Sequence, residues 1–384
     1  MRKRIVALVL CIAMAACCAG VLVACSDKDA NPPSQFYYDN SPSTTEGKTQ
    51  IVFLGDSIAE GILGASPLAL RHEYAYPNII GRRNDYAYYN HSVSGHLTRD
   101  LLAILANDVD YDGARMLISH VMTADVIHIS IVGNDVLQDR PDLGENVTMH
   151  QVIVEAGQGK TDTIDKILFE GDASKNVASS KDNVKAIVER LRELNPDAVI
   201  IFQKVYNPIT ILETQLIKED TRRALEAMPE YSDGLTLEDL HALGDTLISR
   251  LNSVFDEVLA EFEAEGIENA FYTVDGQAAF NAIYDADKER AARLIYPDGI
   301  HPANEGHAVL ADLTQELLEH LELADGNAAL AEYKNMRKNA LNTYFASSVD
   351  NIADVCAAID GASSCAQVTE IFFDATAGKT AANY

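Results

Sequence analysis

A serine stands where a short apolar run ends: Gln50-Ile51-Val52-Phe53-Leu54 closes in Gly55-Asp56-Ser57. A run of that length and composition reads as a buried strand, and the glycine permits a sharp turn out of it. A serine at the carboxyl end of such a strand projects into the crevice above an open sheet. Far downstream, Tyr296-Pro297-Asp298-Gly299-Ile300-His301-Pro302 places a carboxylate and an imidazole three residues apart, followed at once by a helical run from Asn304. A serine hydroxyl is a poor nucleophile at neutral pH. It needs an imidazole to take its proton and a third group to hold that imidazole in the right tautomer. Asp298 and His301 are of the required types, so Ser57, His301 and Asp298 are candidate nucleophile, base and orienting carboxylate. Taken singly, each motif is also ordinary turn chemistry, since Asp and Ser cap helices and a lone histidine is more often structural.

These groups meet only if the elements between them bring the ends together. Residues 86–94, 126–132, 198–205 and 270–274 are further β-branched or aromatic runs, and helical patterns separate them. Leu101, Leu102 and Leu105 mark one helix, residues 183–194 another, and Leu240, Leu243, Leu247, Leu251, Val254 and Val258 recur at three- and four-residue spacing in a third. Strands alternating with helices imply a parallel sheet covered on both faces, an α/β/α sandwich of about five strands. Two stretches, 137–182 and 208–235, exceed ordinary connections and are mostly polar; loops of that length are usually lids or functional insertions. After Leu323 come about 60 alanine-rich residues of helical pattern without a strand signal, expected as a small helical appendage.

Four short blocks in order, GDSIAEG, NHSVSG, VGND and DGIHP, resemble the SGNH/GDSL hydrolases, and the resemblance covers residues 50 to about 323. It implies a flavodoxin-like three-layer fold and a serine hydrolase of carboxylic esters, with Ser57, Asp298 and His301 catalytic. The oxyanion hole would then comprise the Ser57 and Gly95 amides and the Asn134 side chain. Such donors each contribute about 10²- to 10³-fold in rate. The chain departs from the family in having Val132, where glycine is common two positions before the asparagine, and Ile58 in place of leucine after Ser57. The resemblance implies no metal and no organic cofactor. His91, His96, His128 and His307 are expected to be structural or pocket-lining, and Arg71, Arg82, Arg83 and Arg99 to be solvated surface cations. The family hosts lipases and general acyl esterases, the first reading here, and carbohydrate O-acetylesterases, the second. A surface lipoprotein that only binds, through residues 328–384, is a third reading, opposed by the presence of Ser57, Asn134, Asp298 and His301 together.

The chain opens with Arg2, Lys3 and Arg4 and then runs uncharged from Ile5 to Ala24, the layout of a secretory signal or, on length alone, of an anchor helix. Leu22-Val23-Ala24-Cys25 resembles the lipobox of bacterial lipoproteins, which implies cleavage and lipidation at Cys25 and an enzyme on the extracytoplasmic face of a membrane. The organisation expected is a signal at 1–24, a flexible tether at 25–49 with a mean span of about 25–30 Å, a hydrolase domain at 50–325 and the helical appendage at 326–384. A formal net charge of −28 argues against nucleic acid and anionic lipid as partners. Cys11, Cys17 and Cys18 fall in the signal, so Cys356 and Cys365 remain, either bonded to each other in an exported protein or as two buried thiols. The composition leaves the oligomeric state open.

Overall fold

The computed structural model describes residues 38–39, 47–62, 72–107, 112–379 and 381. The expected signal, Cys25, most of the tether and Arg71 lie outside the described residues. Five parallel strands form the sheet: β2 (Gln50–Gly55), β3 (Ala87–Asn90), β4 (Val126–Ser130), β5 (Val199–Lys204) and β6 (Tyr272–Asp275). Within the span read as tether, Tyr38–Asp39 adds a two-residue strand, β1, antiparallel to β3. The order β1-β3-β2-β4-β5-β6 gives the flavodoxin-like arrangement, in which the strand order reverses between β2 and β4 and opens a crevice at their carboxyl ends.

Alternation along β2 explains the two cores. Ile51 and Phe53 point to one face and join a cluster with Ile79, Ile80, Leu310 and Leu318. Val52 and Leu54 point to the other and join Leu101, Ile129, Val184, Val188, Val254 and Phe255. All four strand residues are 0% exposed, which accounts for the uninterrupted apolar run. The helices Tyr76–Arg83 and Asn304–His320 cover the first face, and Thr98–Leu105, Ser180–Leu194 and Leu237–Ala264 cover the second. The last two each start at a capping box, Ser179 with Asp182 and Thr236 with Asp239.

The two long insertions are not bare loops. They contain the helices Met149–Gly157 and Glu219–Glu226. Ile153, Ile209, Ile217, Leu225 and Met228 from these insertions meet Leu240 and Leu243 in a third apolar cluster.

The C-terminal helices Gly326–Tyr344, Ile352–Gly361 and Cys365–Thr376 share the first core, contributing Tyr333, Met336, Leu341, Ile359, Val368 and Phe372 to the cluster that contains Ile51 and Phe53. A polar knot pins them. Arg83 Nη1 donates to Asp312 Oδ1 at 2.8 Å, Thr369 Oγ1 to Asp312 Oδ2 at 2.6 Å, and Tyr333 and Thr369 share a 2.9 Å hydroxyl contact. The guanidinium of Arg83 lies 4.3 Å from the Tyr333 ring centroid and that of Arg337 lies 4.8 Å from it. Arg83 is therefore no surface cation: its side chain is 0% exposed and paired. Arg82 is partly exposed and pairs with Glu73, and Arg99 with Asp142. Of the two readings of Cys356 and Cys365, the bonded one fails: both are free thiols, Cys365 buried and Cys356 only partly so. Cys365 turns into the Arg83–Asp312 knot, where burial pushes its thiol up, while Cys356 packs at the rim of the apolar cluster.

Because these helices complete a shared core, a chain ending at Ala324 should lose its cooperative thermal transition. Circular dichroism melts of the two lengths check this, and a truncated chain that melts like the full one would make the helices dispensable.

Candidate active site

The site begins where β2 and β4 part. Gly55 has φ +131°, and a Cβ built on it would lie 1.8 Å from the Ser130 carbonyl oxygen, so no side chain fits. The Asp56 amide donates to that same oxygen at 3.0 Å. Asp56 then caps the one-turn helix Ser57–Glu60, its Oδ1 accepting from the Ile58 amide at 3.0 Å. Ser57 thus stands on the first helical residue at the carboxyl edge of the sheet, 9% exposed.

His301 reaches the same edge on a loop closed in several ways. Ile295 and Pro302 form an antiparallel bridge, and the Tyr296 amide donates to the His301 carbonyl at 2.8 Å. Gly299, at φ +76°, packs so closely on the second insertion that a Cβ would lie 2.3 Å from Thr214 Oγ1. Buried Tyr206, just beyond β5, donates its hydroxyl to the Ile300 carbonyl at 2.7 Å and stacks on Phe280.

These supports bring the three expected residues into one chain. His301 Nε2 lies 2.8 Å from Ser57 Oγ, and His301 Nδ1 lies 2.7 Å from Asp298 Oδ2. The carboxylate can only accept, so the ring proton sits on Nδ1 and Nε2 is left to accept from the serine hydroxyl. Asp298 Oδ1 accepts the Ile300 and His301 amides at 2.9 and 3.0 Å. Burial pushes the Asp298 carboxyl up, but the His301 hydrogen bond, its charge and the two amides outweigh this and hold it below the usual carboxylate range.

The loops after β3 and β4 are laced to each other and to the serine turn. Gln138 Nε2 donates to the Gly95 carbonyl at 2.7 Å, and Asn134 Nδ2 to the His96 carbonyl at 3.1 Å. Asp135 accepts from the Thr98 amide and hydroxyl at 3.0 and 2.9 Å. Glu60, which composition and motif reading passed over although it lies inside GDSIAEG, accepts from the Ser94 amide at 2.8 Å and the Ser94 hydroxyl at 2.5 Å. It is 8% exposed, a buried carboxylate fixing the residue next to Gly95. The other residues that sequence reading missed are Tyr206 and Thr214, which hold the His301 loop from outside the four blocks.

Val132 keeps the backbone that glycine would favour. Its φ is +89°, in a region costly for a β-branched residue, by about 1–3 kcal/mol, and its side chain is fully buried. The histidines near the blocks are tied into structure. His128 lies between the Tyr76 and Thr314 hydroxyls, His91 pairs with His120 at 2.9 Å, and His307 Nε2 meets the Ile62 carbonyl at 3.1 Å. Burial holds His128 down at about 3, and burial with the neighbouring His120 does the same for His91.

Asp56 is the outlying acid. Burial raises its carboxyl from 3.8 to about 7, against the Ile58 amide and His301. Below about pH 4 the folded and unfolded chains both hold this proton. Between about 4 and 7 the unfolded chain releases it while the folded chain keeps it, so stability falls as pH rises through that window. Asp56→Asn keeps the cap and removes the charge. Its melting temperature relative to wild type should therefore climb from pH 4 to pH 7, and a pH-independent difference would contradict the buried charge.

Residues 53–309, more than half of the chain, match the GDSL-like lipase/acylhydrolase family. Among solved structures, the chain is similar to a lipase from a goat rumen metagenome, with 18% identity and a TM-score of 0.41 over 70% of this chain and 96% of that one. It is also similar to phospholipase A1 from Streptomyces albidoflavus NA297, with 15% identity and a TM-score of 0.43 over 70% and 99%. The lipase/acylhydrolase from Enterococcus faecalis gives 18% identity and a TM-score of 0.38 over 71% and 96%. No curated protein sequence matches the chain. With Ser57, Asp298 and His301 all inside the matched span, the chain belongs to the GDSL-like lipase/acylhydrolase family and is a hydrolase of ester bonds.

Proposed function

We propose that this enzyme cleaves carboxylic acyl esters through a covalent serine intermediate. The observation that carries the reading is the unbroken hydrogen-bond chain Ser57–His301–Asp298, at 2.8 and 2.7 Å, between residues 244 positions apart. Ser57 Oγ attacks the ester carbonyl while His301 Nε2 takes its proton, and Asp298 stabilises the imidazolium that forms. The same imidazolium then protonates the leaving alcohol. Water, deprotonated by His301, attacks the acyl carbonyl and releases the acid.

The negative charge on the tetrahedral oxygen is met by the Ser57 amide, the Gly95 amide and the Asn134 side chain. The Asn134 amide nitrogen carries two hydrogens, and the bond to His96 occupies one of them. That bond also fixes the direction of the other, which is the preorganisation an oxyanion donor needs.

Lipases and general acyl esterases are the first substrate reading. The lipobox ending in Cys25 supports lipidation there and work on the extracytoplasmic face of a membrane, with residues 25–49 as the tether. Metabolic labelling with palmitate, lost in Cys25→Ala, is the expected outcome for that arrangement.

Hydrolysis of a chain-length series of p-nitrophenyl esters by the form starting at Ser26 tests the chemistry. Turnover and fluorophosphonate labelling should both vanish in Ser57→Ala, and Asn134→Ala should lower kcat by about 10²- to 10³-fold. Turnover confined to acetyl esters would move the enzyme to the carbohydrate O-acetylesterases; a folded protein with neither turnover nor labelling would leave only the binding role. Glu60→Gln should cut kcat by roughly 10- to 100-fold through misplacement of the Ser94–Gly95 loop while leaving KM nearly unchanged. A change in KM alone would show that Glu60 does not position that loop.

A further inference from the structure

The loop 205–218 leaves the carboxyl end of β5, on the edge of the sheet that carries Ser57, and its base is held rigidly. Asn207 is 0% exposed, its Oδ1 accepting from the Ile209 amide at 3.1 Å and its Nδ2 donating to the His241 carbonyl at 2.9 Å. His241 Nδ1 lies 2.7 Å from the Ile209 carbonyl, and its ring stacks on Tyr284. Ile209 and Ile217 are buried in the third apolar cluster, and Thr210 and Thr214 are buried as well. Between these anchors stand Ile211 and Leu212, 38% and 37% exposed. Of the large apolar side chains that are exposed among the described residues, they are the only two adjacent in sequence; the others are Met116 and Met122.

The later part of this loop, residues 214–216, lies against the turn that carries His301. A Cβ at Gly299 would meet Thr214 Oγ1 at 2.3 Å and the Leu216 and Gln215 amide nitrogens at 3.1 and 3.3 Å. Gly299 lies between Asp298 and His301. Ile211 and Leu212 thus stand on the same anchored loop whose residues 214–216 lie against the turn that carries His301.

We propose that Ile211 and Leu212 are specificity-determining residues that receive the acyl chain of the ester, favouring medium and long chains over acetyl. The proposal rests on the ester-hydrolase reading above. Two side chains are too little surface for stable docking of a protein, which buries about 800 Å² on each partner. They are enough for a few methylenes, each contributing about 0.8 kcal/mol when it leaves water, or about fourfold in a specificity ratio.

The experiment compares p-nitrophenyl decanoate with p-nitrophenyl acetate for wild type, Ile211→Ser/Leu212→Ser and the conservative Ile211→Val/Leu212→Met. In the serine variant the decanoate-to-acetate ratio of kcat/KM should fall about tenfold or more with acetate turnover nearly unchanged, and the conservative variant should keep the ratio. Melting curves check that all three are equally folded. A ratio unchanged in the serine variant overturns the proposal. So does an equal fall on both esters, which would make the loop a support for His301, and so does a wild type that accepts only acetate, although ester hydrolysis itself would then stand. A wild type that turns over neither ester and takes no fluorophosphonate removes the underlying hydrolase reading as well.

Discussion

Where β2 and β4 separate, the backbone of Gly55 presses against the carbonyl of Ser130 with no room for a methyl group between them. The same short stretch is the reference point for all three loops of the crevice. The Ser130 oxygen accepts from Asp56, which sets the serine turn, and the Gly55 oxygen accepts from the Val93 amide at 3.0 Å, which sets the loop leading to Gly95. Asn134 follows Ser130 after a single tight turn. One close contact between two strands therefore determines how Ser57 and the proposed oxyanion donors stand relative to one another. The His301 loop is the separate piece, and it is held from β5 by Tyr206 and from the second insertion by Thr214.

Below the crevice the molecule is held by apolar packing, and at the crevice it is held by polar lacing. Asp135 with Thr98, Gln138 with Gly95, Asn134 with His96 and Glu60 with Ser94 join segments about 35 to 45 residues apart in sequence through side chains that reach backbone groups. Directional bonds of this kind fix loops that have no regular ladder of their own. They also explain how Val132 persists at φ +89°: its neighbours on both sides are tied, so the strain cannot relax without breaking them. Burial raises the Asp56 and Asp135 carboxyls, which shows the cost of placing so many acceptors in a dry site.

Much of this could be read from the sequence for physical reasons. A strand covered on both faces must be continuously apolar, so Ile51 to Leu54 announced β2, and the helix stripes announced its covering layers. Ser57, Asp298 and His301 were legible because their types are chemically constrained and their order matches a known set of blocks. What escaped depends on contacts that no periodicity encodes. Arg83 reads as a surface cation because arginine seldom lies buried without a partner, and the partner, Asp312, is 229 residues away. The insertions read as polar loops because Ile209, Ile217, Leu225 and Met228 are scattered among charged residues and align only when two insertions fold together. Cys356 and Cys365 invite a bond by elimination, but both are free, and Cys365 lies by the Arg83–Asp312 pair, whose partners no spacing of cysteines reveals.

The C-terminal helices carry a consequence for how the protein is made. Ile51 and Phe53 are among the first core residues to be synthesised, and Tyr333, Val368 and Phe372, members of the same cluster, are among the last. At about 5–20 residues per second the ribosome needs on the order of tens of seconds to supply those last members. Throughout that interval the helix Tyr76–Arg83, and Asn304–His320 once it is made, cover that face of the sheet without the C-terminal helices that pack against them, so the outer part of the cluster stays open. The biogenesis of this enzyme is thus timed by its tail: the strand that leads into the Ser57 turn is finished early, and the molecule around it only when the last helix docks.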